Sequence, residues 1–139
     1  MAERKEAHFI IENQVEELAV LFDKIEELAE TWQWSVPLTM NINLVLEEAV
    51  SNVIFYSFDD ERKHEIIIYI SIQENELTIV ISDDGKPFDP TSAQLPDVEL
   101  KTEDRPVGGL GIFLISKIMN SVSYTRKNKL NILTLTKTI

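Results

Sequence analysis

Three short stretches of this chain hold residue types that can do chemistry. In LVLEEAVSNVIFYSF (44–58), Glu48 and Asn52 stand four positions apart. That spacing puts a carboxylate and a carboxamide on one side of a helix. At about 100° per residue they fall at the border of the apolar stripe formed by Ile42, Val45, Leu46, Ala49 and Val53. From there both reach a cleft over the core. Asparagine is a modest helix former, so its place here asks for a reason. Glu47, one step round, points into solvent. By itself the pair also fits a solvated helix face.

In IVISDDGKPFDP (79–90), a strand ends in Asp83-Asp84-Gly85. Asp83 continues the face of Ile79 and Ile81 and so points toward the core. A carboxylate there needs a hydrogen-bond donor, because burying it unpaired is costly. An adenine amino group is one such donor, and a charge-assisted bond of that kind is worth about 10- to 150-fold in affinity. Asp-Asp-Gly is also an ordinary turn after a strand.

The third stretch is RPVGGLGIFLISK (105–117). It holds three of the chain's four glycines, Gly108, Gly109 and Gly111, directly before an apolar run. Glycine there allows close backbone approach. A helix N-terminus offers unpaired N–H groups and the positive end of a dipole, a natural anion site. No GK[ST] follows, so this is not a Walker A loop. GLGIFL lacks the third glycine of a dinucleotide fingerprint and follows a loop, not a strand.

The elements that must position these residues read as follows. His8–Ile11 is a short edge strand. Asn13 with Glu16 resembles a capping box. Val15, Leu18, Phe22, Ile25, Leu28 and Trp32 then recur at helical spacing, with Glu16, Glu17, Glu26 and Glu27 on the polar side. Core packing and a homodimer face both fit that stripe. A second helix starts near Pro37 and runs to about Tyr56. EIIIYISIQENELTIVISD predicts two strands around Glu74-Asn75. Ile66, Ile68, Ile70 and Ile72 share one face, and Leu77, Ile79, Ile81 and Asp83 share a face of the partner. Residues 84–107 hold four of the five prolines, the mark of a long functional loop. The glycine cluster opens a helix to about Asn120, and VSYTR and NILTLTK form a final hairpin. On its second strand Asn131 shares a face with Leu133 and Leu135. Strands and helices without βαβ alternation predict an α+β fold, a two-layer sandwich of a mixed, mostly antiparallel sheet with helices on one face.

The totals bound the function. A chain of 139 residues, 44% hydrophobic and 27% charged, fits one soluble domain spanning 1–139. The lack of cysteine excludes disulfides, thiolate metal sites and a cysteine nucleophile. His8 and His64 stand in no ligand spacing. A net charge of −11 argues against direct nucleic-acid binding. No apolar run approaches a membrane span and no signal peptide is evident, so the expected location is the cytoplasm.

E-x-x-x-N, then D-x-G, then a glycine-rich helix entry, in that order, resembles the GHKL ATP-binding (Bergerat) fold of gyrase, histidine kinases and mismatch-repair ATPases. EEAVSNVIFYSF, DDGKPFDP and RPVGGLGIFLISKIM look like its small stand-alone branch, the anti-sigma-factor serine/threonine kinases. The resemblance runs from about Phe9 to Lys137. It implies ATP and Mg²⁺ as cofactors, with Asn52 as the metal ligand and Glu48 as the general base. It implies that Asp83 bonds the adenine amino group, with Gly85 shaping the pocket, and that Gly109, Leu110 and Gly111 wrap the phosphates. It implies an ATP lid from about Asp89 to Val107, with Arg105 approaching the nucleotide and Asn131 reaching the pocket. The implied partners are an anti-anti-sigma protein as substrate and a sigma factor. The chain departs from the family pattern at Tyr56, where histidine is common, and at Lys86-Pro87, where a second glycine is common. An ATP-binding module without phosphotransfer and a plain interaction domain are the competing readings.

Overall fold

The computed structural model describes residues 3–92 and 109–139. Its elements are β1 (Lys5–Glu12), α1 (Glu17–Thr31), α2 (Val36–Tyr56), β2 (Glu65–Gln73), β3 (Glu76–Asp83), a 3-10 turn at Pro90–Ser92, α3 (Gly109–Ile118), β4 (Ser121–Lys127) and β5 (Leu130–Thr138). The strands form one sheet in the order β1-β2-β3-β5-β4. The α+β two-layer fold expected from the sequence is present, and every described strand pairing is antiparallel. No helix among the described residues is long and apolar enough to cross a membrane.

Period-two alternation sets the sheet's faces. Ile66, Ile68 and Ile70 of β2 and Leu77, Ile79 and Ile81 of β3 are buried against the helices, while Ile67 lies on the outer face, 40% exposed. Fully burying each such isoleucine contributes about 1.5–3 kcal/mol. Glu74 turns the β2–β3 hairpin at a φ of 57°, and Asn128 and Lys129 turn the β4–β5 hairpin at 54° and 65°. β1 is longer than the expected edge strand and pairs along its whole length with β2.

α2 is the central helix. The Ser35 hydroxyl accepts from the Leu38 N–H at 3.2 Å, and Pro37 occupies the first turn, so the start is capped as the sequence predicts. Ile42, Val45, Leu46, Ala49 and Val53 are all buried. α3 packs beside α2. Its C-terminus is closed by Lys137, whose ammonium donates to the Ile118 carbonyl at 2.9 Å, the favourable sign for that end of the dipole.

α1 departs from its expected start and stripe. The Asn13–Glu16 capping box is not made. Asn13 instead extends the β1–β2 ladder: its N–H donates to the His64 carbonyl at 3.0 Å, and its Oδ1 accepts from the His64 N–H at 2.9 Å. Two bonds to a neighbouring strand outweigh one local cap. The helix begins four residues later, and Glu17 Oε1 reaches back to accept from the Glu12 N–H. The buried stripe centres on Leu21, Ile25 and Ala29, and Val15 and Phe22 stand in solvent.

His64 anchors the α2–β2 connection. Its ring stacks on Phe58 at 4.5 Å. Nε2 meets Asp60 Oδ1 at 2.8 Å and Nδ1 meets Asp84 Oδ1 at 2.9 Å. Both nitrogens can donate only in the imidazolium. The bond to Asp60 raises the His64 pKa above its ordinary 6.5, burial opposes that, and Asp84 adds to it. A raised folded value means that the stability from this bridge is whole below about pH 6.5 and is lost as pH climbs through the folded pKa. We therefore expect the melting temperature to fall between pH 6.5 and 8.5. His64→Gln should flatten that slope, and an unchanged slope in the variant would exclude His64 as its source.

Candidate functional site

α2, the end of β3, the start of β5 and the middle of α3 converge on one cleft. Its described lining includes Asn52, Asp83, Phe88, Tyr124 and Asn131. Glu48 is half-buried and Glu47 exposed, as their helical positions require. Asn52 is 8% exposed, and its Nδ2 is buried with no hydrogen-bond partner among the described residues.

Gly111 brings the glycine segment onto this pair. A Cβ at Gly111 would stand 2.9 Å from Glu48 Oε2 and 3.3 Å from Asn52 Nδ2. The opening turn of α3 therefore lies against the carboxylate and the carboxamide of α2. Gly109 and Leu110 are its first two residues. Arg105, Gly108 and the 93–107 part of the expected lid lie outside the described residues. The lid's first residues are described: Asp89 Oδ1 accepts from the Thr91 N–H at 2.8 Å, closing the turn at Pro90–Ser92.

At the other end of the cleft Asp83 is 4% exposed. Its Oδ1 accepts from the Gly85 N–H at 2.9 Å and from Asn131 Nδ2 at 3.0 Å. Burial pushes its pKa up, the bonds from Asn131 and Gly85 pull it back, Asp84 raises it and Arg126 lowers it. Both donors fall on the same oxygen.

Asn131 lines the cleft, and its side chain is bonded on every side within the protein. Nδ2 also donates to the Lys86 carbonyl at 2.8 Å. Oδ1 accepts from Tyr124 Oη at 2.6 Å, Arg126 Nη1 at 3.1 Å and the Phe88 N–H at 3.2 Å. Its polar capacity is consumed inside the protein. Tyr124, Arg126 and Phe88 were not singled out from the sequence. Tyr124 and Arg126 sit two apart on β4, opposite Leu133 and Asn131 of β5. That signal becomes readable only with the register known.

Gly85 is required by a close approach. A Cβ there would stand 2.2 Å from the Ser57 carbonyl oxygen. That carbonyl accepts from the Lys86 N–H at 2.8 Å, and Arg126 Nη1 donates to the Gly85 carbonyl at 2.7 Å. The two departures from the family pattern are accommodated here: Lys86 supplies backbone groups, and the Tyr56 ring packs beside Phe88 at 5.7 Å.

The chain belongs to the histidine-kinase-like ATPase domain family, whose model matches residues 11–137. Among its relatives is the serine/threonine-protein kinase BtrW of Bordetella bronchiseptica, 30% identical over 112 residues that cover 81% of this chain and 79% of that protein. The serine-protein kinase RsbW of Listeria monocytogenes is 31% identical over 59% of this chain, and the RsbW of Staphylococcus aureus 33% over 64%. The match spans 55% and 59% of those two proteins, so only just over half of each is represented.

The two glycines should respond differently to substitution. Gly85→Ala meets main chain that cannot turn aside, and overpacking of this kind costs about 1–3 kcal/mol or more. Gly111→Ala meets the ends of two side chains and should leave stability within about 0.5 kcal/mol of the parent. Urea unfolding of both variants checks this; a Gly85→Ala protein as stable as the parent would mean that the β3–α2 contact yields.

Proposed function

We propose that this protein is an ATP-dependent serine/threonine protein kinase of the anti-sigma-factor type. It binds Mg-ATP, phosphorylates a hydroxyl of an anti-anti-sigma partner and sequesters a sigma factor in competition with that partner. The observation that carries the reading is the approach of Gly111 to Glu48 and to Asn52, which lines the same cleft as Asp83. Family membership and the kinase names of the relatives support it.

Each residue has a role its surroundings suit. The Asp83 carboxylate, held by Asn131, accepts the adenine amino group. The N-terminus of α3 presents backbone N–H groups to the phosphates. The Asn52 Nδ2, unpartnered among the described residues, suits a phosphate oxygen as its acceptor, and the Oδ1 of the same side chain is the oxygen type Mg²⁺ takes, since that ion needs few protein ligands and keeps several waters. When bound, Mg²⁺ neutralises phosphate charge. Glu48, whose carboxylate has no hydrogen bond or ion pair among the described residues, takes the proton of an incoming serine or threonine hydroxyl. Positioning and charge stabilisation supply most of the rate in phosphoryl transfer. The exposed Val15, Val20 and Phe22 give an apolar surface around α1 for a partner or for a homodimer.

A module that binds ATP and acts by sequestration alone would need Asp83, Asn52 and α3 but not Glu48. Glu48→Ala separates the two. On the kinase reading it keeps ATP affinity and lowers transfer of labelled phosphate to an anti-anti-sigma protein by about 10²- to 10⁴-fold. Transfer that survives the substitution would remove Glu48 as the base. Asn52→Ala should weaken Mg-ATP in calorimetry while folding is unchanged; equal affinity would remove the metal assignment.

A further inference from the structure

Ser57 ends α2 inside the nucleotide cleft, and its hydroxyl bonds nothing among the described residues. The residue is 1% exposed, and Oγ has no hydrogen-bond partner among the described residues. A helical serine or threonine usually satisfies itself by bonding back to the preceding turn. Thr31 does so on the Glu27 carbonyl, Thr39 on the Ser35 carbonyl and Ser51 on the Glu48 carbonyl. Ser57 does not, although its own N–H bonds the Val53 carbonyl at 3.0 Å and the turn is regular.

The backbone around it is fixed. The Ser57 carbonyl accepts from the Lys86 N–H, and Gly85 presses against the same peptide. The side chain therefore projects from a rigid mount into the lining shared by Asp83, Ile81 and Val53. A buried hydroxyl left unpaired is costly, so its persistence here calls for a partner that arrives with the ligand.

We infer that Ser57 Oγ–H is a purine-reading donor, bonding the adenine ring nitrogen next to the amino group that Asp83 accepts. Both nitrogens flanking that amino group, N1 and N7, are acceptors, and serine supplies the donor that a carboxylate lacks. Asp83 and Ser57 together then read a donor and an adjacent acceptor on one edge of the base. This rests on the cleft being an ATP site.

Calorimetry on the full chain, with Ser57→Ala beside the parent, tests it. ATP affinity should fall about 3- to 10-fold, the worth of one neutral hydrogen bond. The nucleotide-free melting temperature should stay level or rise, since an unpaired hydroxyl is removed. The parent should discriminate against either 1-deaza-ATP or 7-deaza-ATP by a similar factor, and Ser57→Ala should bind that analogue no worse than the parent does. Unchanged ATP affinity in the variant, a penalty that persists with both analogues, or a lowered melting temperature alongside weaker binding would each overturn the assignment. If the parent itself does not bind ATP, the ATP-site reading fails first; if it binds and Ser57→Ala binds equally, only the role of Ser57 fails.

Discussion

A carboxylate buried at the end of a strand is the constraint around which this cleft is organised. Asp83 cannot sit 4% exposed without donors, and the sheet register supplies them. Asp83 faces Asn131 across the β3–β5 pair, and Asn131 faces Arg126 across β5–β4. One row across the sheet thus runs from carboxylate to carboxamide to guanidinium. Asn131 holds Asp83 through Nδ2, and Arg126 and Tyr124 hold Asn131 through Oδ1. Register, a property of backbone pairing, becomes an electrostatic arrangement. The same row pins the loop after β3, because Lys86 and Phe88 bond Asn131 as well.

α2 converts core packing into site geometry. Its apolar face is anchored at Val45, Ala49 and Val53, and residues one step from that stripe stand at the cleft. Glu48 and Asn52 therefore inherit their position from the burial of their neighbours. The helix ends where Gly85, just after β3, abuts the Ser57 peptide and Cβ. A contact between backbones has no side chain to repack. The position of Asp83 relative to α2 is thereby fixed by a close approach that leaves no room for a side chain at Gly85.

Much of this was legible in the sequence, for a physical reason. Period-two and helical spacing forecast which side of β2, β3 and α2 is buried, and Asp83, Glu48 and Asn52 sit at fixed offsets from those patterns. What escaped reading depended on long-range pairing. The Asn13 side chain was claimed by a strand 51 residues away, not by its own helix. Phe22 is larger than Leu21, yet Leu21 is buried and Phe22 exposed, because the face that meets α2 and β1 is chosen by tertiary packing. Tyr124 and Arg126 look like surface residues of a hairpin until the register aims them at Asn131. Ser57 carries no local signal, since its significance is the absence of the bond that Thr31, Thr39 and Ser51 make.

A chain of net charge −11 is an unexpected host for a polyphosphate, and the contradiction is resolved by distance. At physiological ionic strength, charges more than about 8 Å away are largely screened, so the acidic surface acts only weakly inside the cleft. Local groups decide. Where α3 meets α2 the side chains against Gly111 are one carboxylate, Glu48, and one neutral amide, Asn52. The N-terminus of α3 adds about half a positive charge, which does not offset Glu48 and a polyanion together. On the proposed reading a divalent cation is therefore part of the electrostatic balance of binding as well as of the reaction. An acidic protein that carries its counter-charge with its ligand keeps its outer surface negative.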